Sequence, residues 1–205
     1  MLCFITARHR TIEGRKQMRK LFVFNLVTLD GYFEGPNREI DWHNVDAEFN
    51  EYAIDMLNSV DALIFGRVTY DLMASYWPTP DAIKNDPIVA EKMNTLPKIV
   101  FSRTLEKVEW NNTRLVKANI EEEIKKMKKQ SGKDMALLGS GSILSQFARQ
   151  GLMDEYRIMV NPVVLGDGKP LFKDIKDRLN LKLTNTRTFG NGNVLLYYQP
   201  VEKEK

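Results

Sequence analysis

Twice in this chain a short run of apolar, β-forming residues stops at a glycine and passes straight into an amphipathic helical pattern. The first is Asp61–Phe65 (DALIF), then Gly66, then Val68, Leu72, Met73 and Tyr76 at helical spacing. The second is Met135–Leu138, then Gly139-Ser140-Gly141-Ser142, then Ile143, Leu144, Phe147 and Ala148, closed by Gly151. A strand that hands over to a helix returns through a crossover, so its next neighbour in the sheet runs parallel to it. Two such units confine the chain to the α/β class.

The rest of the pattern fits around them. Lys20–Val27 (KLFVFNLV) and Lys98–Phe101 (KIVF) read as buried strands. Asp46–Val60 has apolar residues at 49, 52, 53, 56, 57 and 60, a helical stripe. Pro78 and Pro80 are expected to end the helix after Gly66. A further helix is expected over Asn119–Gln130: Asn119 is placed to cap it, acidic residues fill its first turn and lysines its last, as the helix dipole favours. Tyr156–Val164 then reads as a strand, and Leu181–Thr188 and Val194–Gln199 flank Gly190-Asn191-Gly192 as a hairpin. The expectation is a mostly parallel mixed sheet with a C-terminal antiparallel hairpin and helices on both faces.

At 205 residues, without an internal repeat, the chain is the size of one domain. Its net charge of +3 is spread among acidic residues, which argues against nucleic acid as a partner. No apolar run approaches the ~20 residues that span a bilayer, so no membrane partner is expected. A lone cysteine, Cys3, excludes an internal disulfide and points to the cytoplasm. No metal site is expected. Residues 1–17 lack lasting periodicity and a signal-peptide core. They are expected to be an extension, disordered or foreign to the domain, which would occupy 18–200 ahead of a charged tail at 201–205.

Both glycine junctions have the form of a phosphate site. Gly66 lets a ligand approach the backbone, the first helical turn offers free N–H groups, Thr69 adds a hydroxyl, and Arg67 can pair with a phosphate dianion. At the second junction, Gly139, Ser140, Gly141 and Ser142 can wrap a pyrophosphate. The usual dinucleotide fingerprint fails there, because its third glycine would fall on Leu144. Asp30-Gly31 has a plain turn as its other reading and Trp42 packing under a loop, whereas His43 reads as a surface residue and Glu155 as structural. Asp46 reads as a helix cap.

The segments TLDGYFEGPNREIDW, GRVTYDLMASYWP, KIVFSRTL and LLGSGSILSQFARQGLMDEYRIMVNPVVLGDGKPLF, in that order, resemble the reductase domain of bacterial riboflavin biosynthesis and its stand-alone relatives, within the dihydrofolate-reductase-like family. The resemblance covers Met18 to Pro200. It implies a three-layer α/β/α dihydrofolate-reductase-like fold, NADPH as hydride donor and a homodimer. It places Gly66, Arg67 and Thr69 on cofactor phosphates, with Arg67 near the 2′-phosphate. It places Ser102 and Arg103 at the adenosine end. Gly139, Ser140, Gly141, Ser142, Ile143 and Leu144 would lie under the pyrophosphate and nicotinamide. Asp30 would stand on the substrate side of the nicotinamide pocket and Trp42 at the end of a mobile loop, and these two are the catalytic candidates. Thr28 replaces the usual serine before Leu29-Asp30-Gly31 and keeps the hydroxyl.

The function expected is NADPH-dependent reduction of a small heterocycle, of the type of 5-amino-6-(5-phosphoribosylamino)uracil or dihydrofolate. A basic grip for a substrate phosphate cannot be assigned, and the zinc-binding residues of the partner deaminase domain are not found, so a stand-alone reductase is expected. The competing reading is a non-catalytic nucleotide-binding dimer that acts as a sensor.

Overall fold

The computed structural model describes residues 18–201, so the expectations for the 1–17 arm and for 202–205 lie outside the described residues. The chain runs β1 (Leu21–Thr28), β2 (Tyr32–Glu34), α1 (Ala47–Asn58), β3 (Val60–Gly66), α2 (Arg67–Tyr76), α3 (Pro80–Asn85), α4 (Pro87–Thr95) and β4 (Lys98–Phe101). It continues through β5 (Thr113–Val116), α5 (Ile120–Lys129), β6 (Asp134–Leu138), α6 (Gly141–Arg149), β7 (Glu155–Asn161), β8 (Lys169–Pro170), β9 (Leu181–Thr188) and β10 (Val194–Pro200). One eight-stranded sheet has the order β5-β4-β3-β6-β1-β7-β10-β9, and β2 pairs with β8 in a small second sheet. Every pairing from β5 across to β7 is parallel; β10 is antiparallel to both β7 and β9. This is the mixed α/β sheet expected.

Side-chain alternation divides the core into two layers. Leu21, Val23 and Val27 of β1, with Ala62, Ile64, Met135 and Leu137, meet α5 and α6 through Ile124, Leu144 and Phe147. Phe22 and Phe24, with Leu63, Phe65, Ala136 and Leu138, meet α1, α2 and α4 through Tyr52, Met56, Tyr70 and Met93. A parallel strand buried on both faces must be apolar throughout, which is why β1, β3 and β6 were legible as continuous runs.

Several local expectations are corrected. Pro80 does not merely end a helix: it is the first residue of α3, capped by the Thr79 hydroxyl, and Pro87 likewise starts α4. A missing N–H costs nothing in a first turn, so proline starts helices as well as stopping them. Asn119 occupies the N-cap position of α5 in a left-handed conformation, but its side chain makes no capping bond. The strand expected to reach Val164 ends at Asn161, ahead of Pro162. Asp46 does cap α1, accepting from the Phe49 N–H.

β6 stops early. Its last pairings are Phe24↔Leu138 toward β1 and Ile64↔Leu137 toward β3, whereas β1 runs on to Thr28 and β3 to Gly66. A crevice therefore opens at the C-terminal ends of the parallel strands, the usual place for ligands in such sheets.

Candidate functional site

Two features of the crevice follow from the glycine junctions. Gly66 is the N-cap of α2 and Ser140 that of α6, and neither supplies a side-chain cap to its own helix. The Ser140 hydroxyl instead accepts from the Gly66 N–H at 2.6 Å and donates to Thr69 Oγ1 at 2.9 Å. The two helix N-termini are thus fastened side by side, with first-turn amides left for an external acceptor. A Cβ on Gly66 would sit 2.9 Å from Ile143 Cγ1. Gly139 has φ +60°, and a Cβ there would sit 2.8 Å from Thr69 Cγ2. Both positions need glycine, one for close approach and the other for conformation as well.

A groove of about 260 Å³ runs over these N-termini. Gly66, Arg67, Thr69, Ser102, Arg103, Ser140, Gly141, Ser142 and Ile143 all line it. Gly139 borders the neighbouring cavity instead. Leu144 is corrected: it is fully buried on the sheet-facing side of α6 and touches the core, not the groove. Arg67 is half exposed beside Asp71, at 3.5 Å, while Arg103 is exposed with no ion pair among the described residues. Donors of this kind, two helix N-termini with hydroxyls and two arginines, fit a pyrophosphate and a further phosphate.

Beside the groove lies a second cavity of about 330 Å³, sharing Phe33, Glu34 and Thr69 with it. Its walls are apolar and come from β1 (Phe24, Leu26), α1 (Phe49, Met56), α2 (Leu72, Met73) and α4 (Val89, Met93). Two larger hollows, about 640 and 770 Å³, lie on the flank of α2 and at the N-terminal ends of β3 and β4, away from the glycine junctions.

His43 lines the 330 Å³ cavity and is not the surface residue expected. Its Nε2 is buried with no hydrogen-bond partner, and burial pulls the imidazole down from 6.5 to about 4. Trp42 lines neither hollow; it packs edge-on against His43 at 4.5 Å and donates its indole N–H to the Glu39 carbonyl. Asn25, the one polar residue inside the apolar strand β1, also lines the cavity, 5% exposed, with Nδ2 unpartnered. A lone amide in KLFVFNLV was the available signal for it.

Asp30 stands apart from both hollows. Its carboxylate accepts from the Thr28 hydroxyl at 2.6 Å, the Gly166 amide at 2.8 Å and the Leu165 amide at 3.3 Å. The Thr28 hydroxyl, followed by those amides, holds the carboxyl below its usual range. This is a charged anchor that ties the end of β1 to the loop after β7, and the geometry favours that role over proton transfer. Glu155 is likewise structural, paired with Arg157 at 2.5 Å.

The RibD C-terminal domain model matches residues 19–195. The chain belongs to the RibD C-terminal domain family. Uncharacterized protein YyaP of Bacillus subtilis (strain 168) is 40% identical over 89% of this chain and 95% of its own length. Among solved structures, a protein assigned to riboflavin biosynthesis from Shewanella sp. PV-4 has a TM-score of 0.70 at 23% identity, covering 89% of this chain and 99% of its own. A deaminase/5-amino-6-(5-phosphoribosylamino)uracil reductase from Thermotoga maritima has a TM-score of 0.64 at 14% identity, covering 91% of this chain and 58% of its own. The RibD C-terminal domain fold extends to dihydrofolate reductase: the enzyme from Enterococcus faecalis, solved with NADP(H), has a TM-score of 0.57 at 14% identity, covering 89% of this chain and 97% of its own.

Proposed function

We propose that this chain is an NADPH-dependent reductase of a small heterocyclic substrate. The observation that carries the reading is the shared wall: a groove built to hold phosphates opens, through Phe33, Glu34 and Thr69, onto an apolar cavity of substrate size. The first-turn amides of α2 and α6 would hold the pyrophosphate, with Ser142 beside them. Arg67 and Arg103 would take the 2′-phosphate, which favours NADPH over NADH. The nicotinamide end would lie toward Thr69 and Gly139.

Bound there, the cofactor would supply a hydride for an electron-poor carbon, and the two-electron reduction would need one proton, ultimately from solvent. The protein's part is to hold the substrate ring at contact distance and keep water out. Phe24, Leu26, Met56 and Met73 provide the dry wall. Glu34, 12% exposed and paired with Lys169 at 2.8 Å, stands where both hollows meet and is the carboxylate placed to pass a proton. A homodimer belongs to the same reading; β9 is an exposed edge strand available for it.

The test is to mix purified protein with NADPH and follow the nicotinamide absorbance against pyrimidine, pterin, quinone and nitro acceptors. Oxidation that depends on one acceptor class supports the reductase. Saturable NADPH binding with no acceptor turned over supports the sensor, which would use the groove and leave the cavity idle.

A further inference from the structure

We propose that the 330 Å³ cavity takes an uncharged, flat aromatic or heteroaromatic molecule that bears a carbonyl or ring-nitrogen acceptor and no phosphate, anchored at Asn25 and His43. This rests on the reductase reading of the adjoining groove and narrows its substrate.

Charge is the first argument. Neither Lys nor Arg lines the cavity among the described residues; its ionisable acids are Glu34 and Asp86. The nearby cation, Lys169, lines the groove and is already paired with Glu34. His43 adds no positive charge at neutral pH, since burial holds its imidazole neutral. A phosphate dianion entering here would be stripped of water beside two carboxylates without a counter-charge, a strongly unfavourable transfer. The Thermotoga maritima reductase is named for a phosphoribosyl substrate; this cavity has no group to grip that phosphate.

The second argument is the pair of orphaned polar atoms. Asn25 Nδ2 and His43 Nε2 are both buried without a hydrogen-bond partner, at a cavity whose lining is mostly apolar and whose other polar side chains are Glu34, Asn50, Thr69 and Asp86. Buried polar atoms are nearly always satisfied, and the exceptions mark places where something else makes the bond. An amide N–H requires an acceptor. A neutral imidazole nitrogen gives or takes one hydrogen bond according to its tautomer. A carbonyl or ring nitrogen on a flat apolar ring answers both demands, and the cavity lies at the small end of ligand sites, room for a compact ring system.

The experiment uses calorimetric titration of the whole protein, with and without NADPH, against three probes. Quinazolin-4-one is flat and neutral with acceptors, naphthalene has similar shape without them, and uridine 5′-monophosphate is a phosphorylated pyrimidine. Quinazolin-4-one is expected to bind saturably and more tightly than naphthalene, and the nucleotide not to enter the cavity. Asn25→Leu and, independently, His43→Phe should each weaken quinazolin-4-one by about tenfold, the scale of one hydrogen bond to a buried group, and leave naphthalene unchanged. Absence of quinazolin-4-one binding up to its solubility overturns the proposal. So does unchanged affinity in both variants, or nucleotide binding that quinazolin-4-one displaces. NADPH titrated into the same samples separates the two readings: loss of NADPH binding with intact quinazolin-4-one binding removes the reductase and leaves the cavity's ligand class standing.

Discussion

The groove over α2 and α6 is made of backbone, whereas the cavity beside it is made of side chains. In the groove the ligand-facing groups are helix amides, and what fixes them is glycine at 66 and 139 and a single serine hydroxyl. In the cavity the surface is contributed by β1, α1, α2, α4 and the loop carrying His43, segments far apart in the chain. Backbone sites tolerate little change in local sequence. Side-chain sites can be re-lined without disturbing the sheet, which is how one fold serves different substrates. Substitutions should therefore act differently in the two regions.

The largest effect is expected in the groove's frame. Gly139→Val puts a branched side chain at φ +60° and 2.8 Å from Thr69. Strain and overpacking together should remove about 3–5 kcal/mol of stability, seen as a lowered urea midpoint, and NADPH binding should be lost. A variant that kept both would show that the junction is softer than its geometry. Next comes a contact made by the groove rather than its frame. Arg67→Ala should remove roughly 1.5–3 kcal/mol of NADPH binding and little for NADH, measured by fluorescence titration with both cofactors. Equal losses would detach Arg67 from the 2′-phosphate.

The cavity should report through pH. His43 takes up a proton below about 6.5 in the unfolded chain but only near 4 when folded. Between those values the unfolded state binds more protons, so stability falls as pH drops through the window, by about 3 kcal/mol. Unfolding midpoints measured from pH 7 to pH 4 should show this slope in the natural chain and a flatter one in His43→Phe. Identical slopes would mean that the imidazole is hydrated. The smallest effect belongs to a residue outside both regions. Asp30→Asn should leave NADPH affinity unchanged and turnover within a few-fold, since its carboxylate anchors a loop. A loss of about 100-fold in turnover without loss of folding would restore it to the chemistry.

The same division explains what could be read in advance. The groove was legible because its chemistry lives in local signals: a strand, a glycine and a helix stripe, twice. Arg67 and Ser142 belong to those signals, whereas Ser102 and Arg103 were implied only by the family resemblance. The cavity was not, because nothing around His43 in the sequence says that α1 and α2 will close over it, and a histidine between a tryptophan and an asparagine looks like a loop residue. Asn25 was visible as a lone amide in an apolar strand, but its meaning depends on β6 stopping at Leu138. The helices that start at Pro80 and Pro87 have no counterpart in the sequence reading; Pro80 reads there as a terminator, yet a proline ring suits a first turn as well. Asp30 matched a family element in sequence, yet its oxygens are occupied by neighbours that only the folded loop after β7 brings near.

The Ser140 bridge has a kinetic consequence. One hydroxyl holds the first turns of two helices in register, so the anion-binding surface exists before any ligand arrives. Capture of an anionic ligand there then needs no ordering step of the frame. Its rate should scale linearly with concentration, in one phase, at the pace of ordinary encounters rather than of a conformational change.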